Sequence, residues 1–596
     1  MIKPLLDWLD HRTGYRKLTR EALYENVPGG SRWRYVWGST LTFALVIQII
    51  TGVFLWMAYS PSSQTGWESV YYIQDKMFLG WFVRGIHHFT AQAMIVLLVL
   101  HLMQVLIDGA YKAPRELNMW TGLILLLLVL GLSLTGYLLP WDQKGYWATR
   151  VVTNLVGIVP LIGDDLRRLV VGGNDFGHQT LTRFFAFHAG VLPGLILALI
   201  VGHIYLFRRH GITPAEPRMK PDAAFWPDQV LKDAVACLAV LAAVLFLVLY
   251  NHGAELGAPA DASVPFPAAR PEWYFLSVYQ FLKYFPGKTE IIGALIIPGA
   301  ILAFLFVMPF IGKWKLGHRF NVGFVSALLA GAVLLSYLAK NEDHHNEHYQ
   351  LAVEQSDQDA ARVRLLAQMP KGIPPAGAVA LLADDPFTQG PRLFAQNCAS
   401  CHRFGGTDAM GLKLDEAKES ASDLKGFASR EWLAGLLNPA TVASPHYFGG
   451  TKFKDSPMVS FVQGDVKGYS PAQAAQLTKV LAALSAEAGL TAQKSADQRD
   501  AAVIAEGRQL IQKEISCTEC HQFRAPNPDA TAPDLTGYGS TEWLTAFLND
   551  PAHARFYGAQ NDRMPAFGKQ GRLNEHDLNM LARWLRGDWD GAEAKP

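Results

Sequence analysis

Residues 84–106 read RGIHHFTAQAMIVLLVLHLMQVL, and residues 180–211 read TLTRFFAFHAGVLPGLILALIVGHIYLFRRHG. Both stretches are long and apolar enough to form membrane-spanning helices, yet each contains two widely spaced histidines. In the first stretch, His87 and His101 are fourteen residues apart. That spacing is about 3.9 helical turns and about 21 Å of rise, so both imidazoles project from nearly one helix face, close to opposite membrane surfaces.

The second stretch repeats this arrangement, because His188 and His203 are fifteen residues apart. Ionisable residues at membrane depth are costly and usually functional. Four imidazoles on two antiparallel helices can bind two haems one above the other, and we predict the pairs His87 with His188 and His101 with His203. The alternative is that these are polar residues satisfied inside a helix bundle. His88 points about 100° away from His87 and stays unassigned.

Glycines in two flanking apolar segments have the same interval. Gly38 and Gly52 are fourteen residues apart, and so are Gly122 and Gly136. Glycine at these positions would let a porphyrin edge approach the helix backbone. Ordinary helix packing explains a single such glycine, but two pairs at the haem interval favour a role in haem binding.

Seven segments in all have the length and apolarity of membrane spans. They lie at about 36–58, 86–108, 119–139, 184–207, 232–251, 290–311 and 321–339. The chain is 50% hydrophobic and 18% charged, and no later run is long enough to span a bilayer, so a membrane part precedes a soluble part. The net charge of +1 without a basic stripe excludes nucleic acid as a partner.

Basic residues predict the orientation of these spans. With the N-terminus in the cytoplasm, the cytoplasmic segments hold seventeen Lys and Arg against nine on the other side, as the positive-inside rule requires. Because seven is odd, the soluble part would then lie on the periplasmic or other extracytoplasmic face of a prokaryotic cytoplasmic membrane. This is the side on which c-type haem is attached.

Two pentapeptides in the soluble part have the pattern Cys-x-x-Cys-His, which is the attachment site of c-type haem. They are CASCH, with Cys398, Cys401 and His402, and CTECH, with Cys517, Cys520 and His521. The cysteines would form two thioether bonds to each haem, and the histidine would be an axial ligand. A CxxC pair alone could bind zinc, but the adjacent histidine in both copies favours haem.

Each pentapeptide is followed by a methionine that could be the sixth iron ligand. Met458 in DSPMVSF follows the first motif, and Met564 in DRMPAFG follows the second, so chain order pairs Met458 with the first haem and Met564 with the second. Methionine is more often a core residue. His446 and His553 occupy roughly corresponding places and are competing candidates.

The soluble part also contains an internal repeat, since DLKGFASREWLAGLLNP from Asp423 matches DLTGYGSTEWLTAFLNDP from Asp534. We expect an all-α protein in which a seven-helix membrane bundle precedes two small helical domains similar to class I cytochrome c. The predicted parts are 1–35 (cytoplasmic segment), 36–210 (four-helix haem bundle), 211–340 (three further helices), 341–386 (linker with one exposed helix), 387–490 and 491–596 (haem c domains).

Residues 1–340 resemble cytochrome b of the quinol:cytochrome c oxidoreductases. The resemblance rests on the two stretches quoted first, on YKAPRELNMWTG and LTGYLLPWDQKGYWATR, and on ARPEWYFLSVYQFLKYFPGK, which is similar to the quinol-site loop. Seven spans and fifteen residues between His188 and His203 are closer to the chloroplast and Gram-positive branch. Members of that branch often bind an extra haem through a cysteine before the first span, where this chain has Tyr35, Val36 and Trp37.

The resemblance implies roles for several polar residues. Glu272 would relay protons from quinol at the outer site, with Tyr274 in the same PEWY segment, and residues 145–150 would form the opposing wall. On the cytoplasmic side, Arg208 and Asp233 resemble residues around the quinone-reducing site, although basic residues are expected at any cytoplasmic helix end. Arg84 and Arg183 would pair with haem propionates.

The implied activity is quinol oxidation with two electron routes. One electron would pass through a separate Rieske iron–sulfur protein to two haems c, and the other through two haems b to a quinone across the membrane, with proton translocation. Expected partners are the quinone pool, a soluble or membrane cytochrome or terminal oxidase as acceptor, and a second copy in a homodimer. The alternatives are a b-type anchor for another dehydrogenase and a tethered electron carrier.

Overall fold

The computed structural model describes residues 2–214, 221–415 and 420–590. Helix dominates these residues, and their regular strands are only Asn26–Val27 and Ala223–Ala224, which form a short antiparallel pair. The expected all-α class is confirmed. The chain divides into two compact units: a membrane unit of residues 1–352 and 376–378, and a c unit of residues 353–375 and 379–596.

Seven described helices are long and apolar enough to cross a membrane, which confirms the predicted number. Spans 1 to 7 are Trp37–Trp56, Gly80–Ile107, Glu116–Tyr137, His178–His210, Asp228–Asn251, Gly287–Ile311 and Lys315–His345. Most extend beyond the predicted apolar cores, because polar residues at their ends continue the helical hydrogen bonding. Span 4 is interrupted by a π-helical turn at Phe187–Val191.

Shorter helices of the membrane unit lie at the ends of the spans. They are Ile2–Thr13, Tyr15–Leu23, Gly66–Tyr71, Gln143–Gly157, Gly163–Val171 and Leu276–Leu282. The core between spans 1 to 4 includes Ala44, Met94, Leu97 and Ile196. Because Met94 and Leu97 lie between the two histidines of span 2 in sequence, an apolar layer separates two polar levels of the bundle.

The described residues of the c unit form helices and turns, with isolated β-bridges of Thr407 to Phe404 and Lys413. Its α-helices are Val379–Ala383, Pro386–Asn397, Arg430–Leu436, Pro457–Gly464, Pro471–Ala488, Lys494–Arg499, Ala501–Lys513, Thr541–Asn549 and Glu575–Leu585. Both copies of the repeat lie in this one unit.

The predicted linker contains a helix, Glu347–Gln368, but the expectation that it is exposed is wrong for its last third. Arg362, Val363 and Leu366 are buried there. Arg362 donates to both carboxylate oxygens of Asp385, at 2.6 and 2.9 Å, and only 7% and 3% of these side chains are exposed. A hydrophilic sequence misled the prediction because the buried cation is neutralised by a carboxylate seventeen residues beyond the helix end.

Candidate functional site

The histidines of spans 2 and 4 face each other. The ring centroids of His87 and His188 are 6.2 Å apart with 72° between the ring planes, which leaves room for one metal atom between them. His101 and His203 lie on the same two spans, fourteen and fifteen residues further along. The structure thus contains an imidazole pair at the first level and the residues of a second pair at the other end of the bundle.

The four spaced glycines each face one of these imidazoles. A Cβ atom at the glycine would lie at or inside ordinary contact distance of the histidine Cε1 atom. The four contacts are Gly38 with His101 (3.6 Å), Gly52 with His87 (3.4 Å), Gly122 with His203 (3.2 Å) and Gly136 with His188 (2.5 Å). The glycines therefore make room for the ligand ring itself, a contact that the sequence argument about the porphyrin edge did not include.

Threonine hydroxyls hold the Nδ1 atoms of three of the histidines. The pairs are Thr51 with His87 (2.9 Å), Thr121 with His203 (3.0 Å) and Thr135 with His188 (3.2 Å). Each hydroxyl donates its proton to a carbonyl of its own helix. It consequently accepts a hydrogen bond from Nδ1–H, and the Nε2 lone pair is left for iron. These residues fit haem ligation, although the sequence argument missed the threonines.

His101 differs from the other three histidines. Its Nδ1 atom is buried and has no hydrogen-bond partner among the described residues. Each threonine directly precedes one of the spaced glycines, whereas Gly38 is preceded by Trp37. The pattern Thr-Gly, which occurs three times within the apolar spans, is the sequence signal that could have identified the hydrogen-bonded ligands.

The π-helical turn of span 4 accounts for its longer histidine interval. His188 lies inside that turn, Phe187–Val191, whereas His87 and His101 lie on an uninterrupted α-helix. A π-turn takes up one additional residue without continuing the α-helical rotation. Fifteen residues on span 4 are therefore geometrically similar to fourteen on span 2.

Glu272 lies in the loop between spans 5 and 6, beside Lys144. Its Oε1 atom is 3.9 Å from the Lys144 ammonium, and 15% of its side chain is exposed. Burial raises the pKa of Glu272, against the opposing charge of Lys144. Burial also raises the pKa of Tyr274, which keeps its hydroxyl protonated. The pair supplies one proton acceptor and one hydrogen-bond donor at the edge of an apolar cluster.

The segment after span 3 packs against this loop. The carboxylate of Asp142 accepts hydrogen bonds from the backbone N–H groups of Gly145 (2.8 Å) and Gly257 (3.1 Å). Burial raises the pKa of Asp142. Arg270, two residues before Glu272, forms a bidentate ion pair with Asp343. These contacts fix the chain segments on both sides of Glu272, and the region between them is called the Glu272 pocket below.

His88 connects a span to the same loop. Its Nε2 atom is 2.8 Å from the Gln92 side-chain nitrogen, and the Trp273 indole N–H donates to the Gln92 carbonyl oxygen at 3.3 Å. His88 has no histidine partner at the haem spacing, so the sequence alone gives it no role. Its partner is instead one helical turn away.

The predicted propionate partners lie near this end of the bundle. Arg84 donates to the carbonyls of Ala254 and Glu255, at 2.7 and 2.6 Å, and Arg183 donates to the carbonyl of Leu169. These carbonyl oxygens orient both guanidinium groups at this end of the bundle.

The opposite end of the bundle contains Arg208 and Asp233. The Arg208 guanidinium is 3.4 Å from the carboxylate of Glu25, and Asp233 accepts a hydrogen bond from Gln229 at 2.8 Å. Burial raises the pKa of Glu25, against the opposing charge of Arg208. The structure does not give a direct contact between Arg208 and Asp233.

In the c unit, both histidines of the pentapeptides are partly buried and oriented by a backbone carbonyl. His402 Nδ1 is 2.8 Å from the Ser422 oxygen, and His521 Nδ1 is 2.7 Å from the Pro533 oxygen. Burial lowers the pKa of both imidazoles. Each is therefore neutral with Nε2 available as an iron ligand. The described residues contain no cluster of three or more His, Cys, Asp or Glu side chains that would fit zinc.

The two methionines do not pack as chain order predicts. Met564 lies against the buried cluster that contains Cys398, and Met458 lies against a cluster that includes Val459 and Val462. The competing histidines have other contacts: His446 lies 3.9 Å from the Asp423 carboxylate, and His553 Nδ1 accepts the backbone N–H of Arg555.

Comparison with known proteins gives matches along most of the chain. Residues 25–211 match the family Cytochrome b/b6/petB, and residues 259–354 match Cytochrome b(C-terminal)/b6/petD. Residues 387–485 match the family Cytochrome c, and residues 502–585 match the family Cytochrome C oxidase, cbb3-type, subunit III.

Three relatives illustrate the similarity of the membrane unit. The menaquinol:cytochrome c reductase cytochrome b subunit of Geobacillus thermodenitrificans is 41% identical over 221 residues, which are 36% of this chain and 99% of the relative. Cytochrome b of Rickettsia typhi is 32% identical over 52% of this chain and 79% of its own length. Cytochrome b6 of Rippkaea orientalis is 34% identical over 35% of this chain and 95% of its own length.

Proposed function

Since the chain belongs to the cytochrome b/b6 family and its cytochrome b part is followed by cytochrome c domains, we propose that it oxidises quinol as the fused b and c subunit of a quinol:cytochrome c oxidoreductase. The observation that carries the proposal is the arrangement of imidazoles at two levels of one helix pair, with the Glu272 pocket at the end nearer His88. A single haem level would not provide a path through the thickness of the membrane.

Family membership implies haem b and haem c, and we propose two of each. His87 with His188 and His101 with His203 would bind the haems b, and Cys398, Cys401, Cys517 and Cys520 would attach the haems c. When bound, these groups supply one-electron transfer. Arg84 and Arg183 would compensate the propionate charges, because a guanidinium is always positively charged and forms charge-assisted hydrogen bonds to carboxylates.

Glu272 would remove a proton from the quinol hydroxyl. A carboxylate does this only when ionised, and its burial beside Lys144 gives it a higher proton affinity than an exposed carboxylate has. Tyr274 would donate a hydrogen bond to the substrate oxygen, since its own proton is retained. One electron of the quinol would then leave through a Rieske partner towards the c unit and the other towards the second haem level.

On the other side of the membrane, Arg208 and Asp233 would flank a quinone-reducing site. The guanidinium would stabilise negative charge on the quinone, and the carboxyl group would deliver a proton. We place this side in the cytoplasm and the c unit outside it, in a prokaryotic cytoplasmic membrane. Proton uptake inside and release outside would then translocate protons, in a homodimeric complex that reduces a soluble or membrane cytochrome or a terminal oxidase.

The test is quinol:cytochrome c reductase activity of the purified complex with Glu272→Gln. We expect the rate to fall by about tenfold or more, because a positioned acid–base group contributes at least that much, while the haem spectra stay unchanged. Glu290→Gln is the matched control, since it removes a carboxylate of the same chain segment outside the pocket. Equal rates for Glu272→Gln and the unchanged protein at every pH would contradict the proposal.

A further inference from the structure

We propose that the two haem c sites exchange ligands along the chain, so that Met564 is the sixth ligand of the haem attached at Cys398 and Cys401, and Met458 that of the haem attached at Cys517 and Cys520. The inference rests on the proposed function only in assuming that both pentapeptides bind haem. It is the reverse of the pairing given by chain order, and it follows from which helices pack together in the c unit.

The helix before the first pentapeptide packs against the last helix of the chain. Pro386–Asn397 crosses Glu575–Leu585 at Gly390, where an added Cβ atom would lie 2.1 Å from Cγ of Trp584. The Phe394 and Trp584 rings are 5.6 Å apart. Such a close crossing is possible only with glycine, so the two helices are specifically matched.

The helix before the second pentapeptide packs against the C-terminal helix of the first copy. Ala501–Lys513 packs against Pro471–Ala488, and an added Cβ atom at Gly507 would lie 2.1 Å from the Lys479 carbonyl oxygen. Lys479 also forms an ion pair with Glu506 at 2.5 Å. Each pentapeptide thus uses the C-terminal helix of the other copy.

The apolar cores around the attachment cysteines follow the same exchange. Phe394 and Cys398 share one buried cluster with Leu548 and Phe567, and Met564 packs against it. This core therefore combines the first pentapeptide with a methionine 166 residues after Cys398.

The second core is built from the reciprocal segments. Ile515 and Phe523, on either side of CTECH, share a cluster with Val480, and both Cys517 and Phe461 pack against it. Phe461 is one helical turn after Met458 and also packs against the cluster next to that methionine. Phe461 thus packs both against the cluster that Cys517 contacts and against the cluster that Met458 contacts.

The packing between the two copies changes at the repeated segment. Phe427 and Tyr538 occupy equivalent positions of DLKGF and DLTGY, and their rings are in contact at 5.4 Å. After this point each copy stays with its own C-terminal helix, because Trp432 clusters with Leu484 and Trp543 with Ala582. The exchanged part of each copy is therefore its N-terminal helix with the pentapeptide. The methionine of each copy remains with that copy's own C-terminal helix.

The haems can be distinguished by removing one thioether bond. Cys398→Ala leaves a vinyl group on the first haem, and this moves its α-band to longer wavelength while Cys401 keeps the haem attached. In a redox titration of the Cys398→Ala, Met564→Ala protein, we expect the displaced band to have the lowered potential, because thioether sulfur raises the potential of haem iron. In the Cys398→Ala, Met458→Ala protein, the undisplaced band should have the lowered potential.

Cys517→Ala displaces the band of the second haem in the same way. In that background, Met458→Ala should lower the potential of the displaced band, and Met564→Ala should lower that of the undisplaced band. Met410→Ala is the matched control and should leave both potentials unchanged. If Met564→Ala lowers the potential of the band that Cys517→Ala displaces, the exchange is wrong. Covalent haem content and reductase activity are measured separately, so that failure of the proposed function can be distinguished from failure of the pairing.

A cross-link tests the exchange without spectroscopy. His576 Nε2 is 3.6 Å from the Asp384 carboxylate, and Ala472 is the equivalent of His576 in the other C-terminal helix, since Asn574 and Ser470 are the corresponding N-caps. In a Cys237→Ala background, a short bifunctional thiol reagent should join Asp384→Cys to His576→Cys, and not Asp384→Cys to Ala472→Cys. Cross-linking of the second pair alone would overturn the proposal.

Discussion

The membrane unit and the c unit both contain two candidate haem sites, but they select ligands in different ways. In the membrane unit, the two histidines of a span lie on one helix, so residue spacing fixes their separation and direction. In the c unit, each N-terminal helix has two similar helices with which it could pack. Sequence spacing therefore determines geometry within one helix, whereas the choice between two similar partner helices depends on close contacts such as that of Gly390 with Trp584.

The largest effect is expected at a ligand of the membrane unit. His87→Ala should remove one of two haems b, because it removes the imidazole that faces His188 across the proposed iron site. His88→Ala is the control and should retain both, since His88 binds Gln92 instead. The ratio of haem b to haem c in the purified protein measures this. Loss of haem b from the His88 variant alone would reverse the assignment.

The buried ion pair tests whether the c unit depends on long-range contacts. Arg362→Ala should destabilise the c unit by about 3 kcal/mol, because the carboxylate of Asp385 would be left buried without its cation. Arg563→Ala, which breaks an exposed pair with Asp562, should change stability by less than about 1 kcal/mol. Denaturation followed at the haem c absorbance measures both, and haem b content should be the same in each.

Lys144 provides a pH-dependent test of the Glu272 pocket. Its positive charge opposes the rise that burial causes in the pKa of Glu272, so Lys144→Gln should raise that pKa further. A base acts only above its pKa, and the rising limb of the rate profile should therefore move to higher pH. On that limb we expect a decrease of up to about fivefold, since a half-exposed ion pair is worth at most about 1 kcal/mol. Lys288→Gln should leave the profile unchanged.

The smallest effect concerns the two levels of the membrane unit. Thr121→Val removes the acceptor for His203 Nδ1–H, and a less polarised imidazole stabilises ferric iron less well. The potential of the haem at His101 and His203 should rise by up to about 60 mV, which corresponds to one hydrogen bond. Thr42→Val is the control, because that hydroxyl bonds only a helix carbonyl. An unchanged potential would show that this hydrogen bond does not tune the iron.

Much of the membrane unit was predictable because its signals are local. The seven spans follow from apolar length, and the four histidines and four glycines follow from helical spacing. The π-turn at His188 and the ion pair of Arg270 with Asp343 were not predictable, since both depend on packing between distant segments. The roles of individual ligands remain predictions until haem is measured in the variants.

In the c unit, the sequence predicted the elements but not their connections. The pentapeptides, the repeat and both candidate methionines are local patterns. Two copies with the same pattern make either pairing compatible with hydrophobic periodicity. Only residues that break the equivalence, such as Trp584 opposite Gly390, decide between the pairings, and their contacts are invisible in a single sequence.

The crossing of Pro386–Asn397 with Glu575–Leu585 has a consequence for biosynthesis. During synthesis, Cys398 is made well before the helix Glu575–Leu585, which begins about 180 residues further on. The first pentapeptide therefore emerges before its proposed core can be completed, whereas the second pentapeptide emerges after its partner helix Pro471–Ala488. Truncation after residue 570 should consequently damage the site made first and spare the site made second.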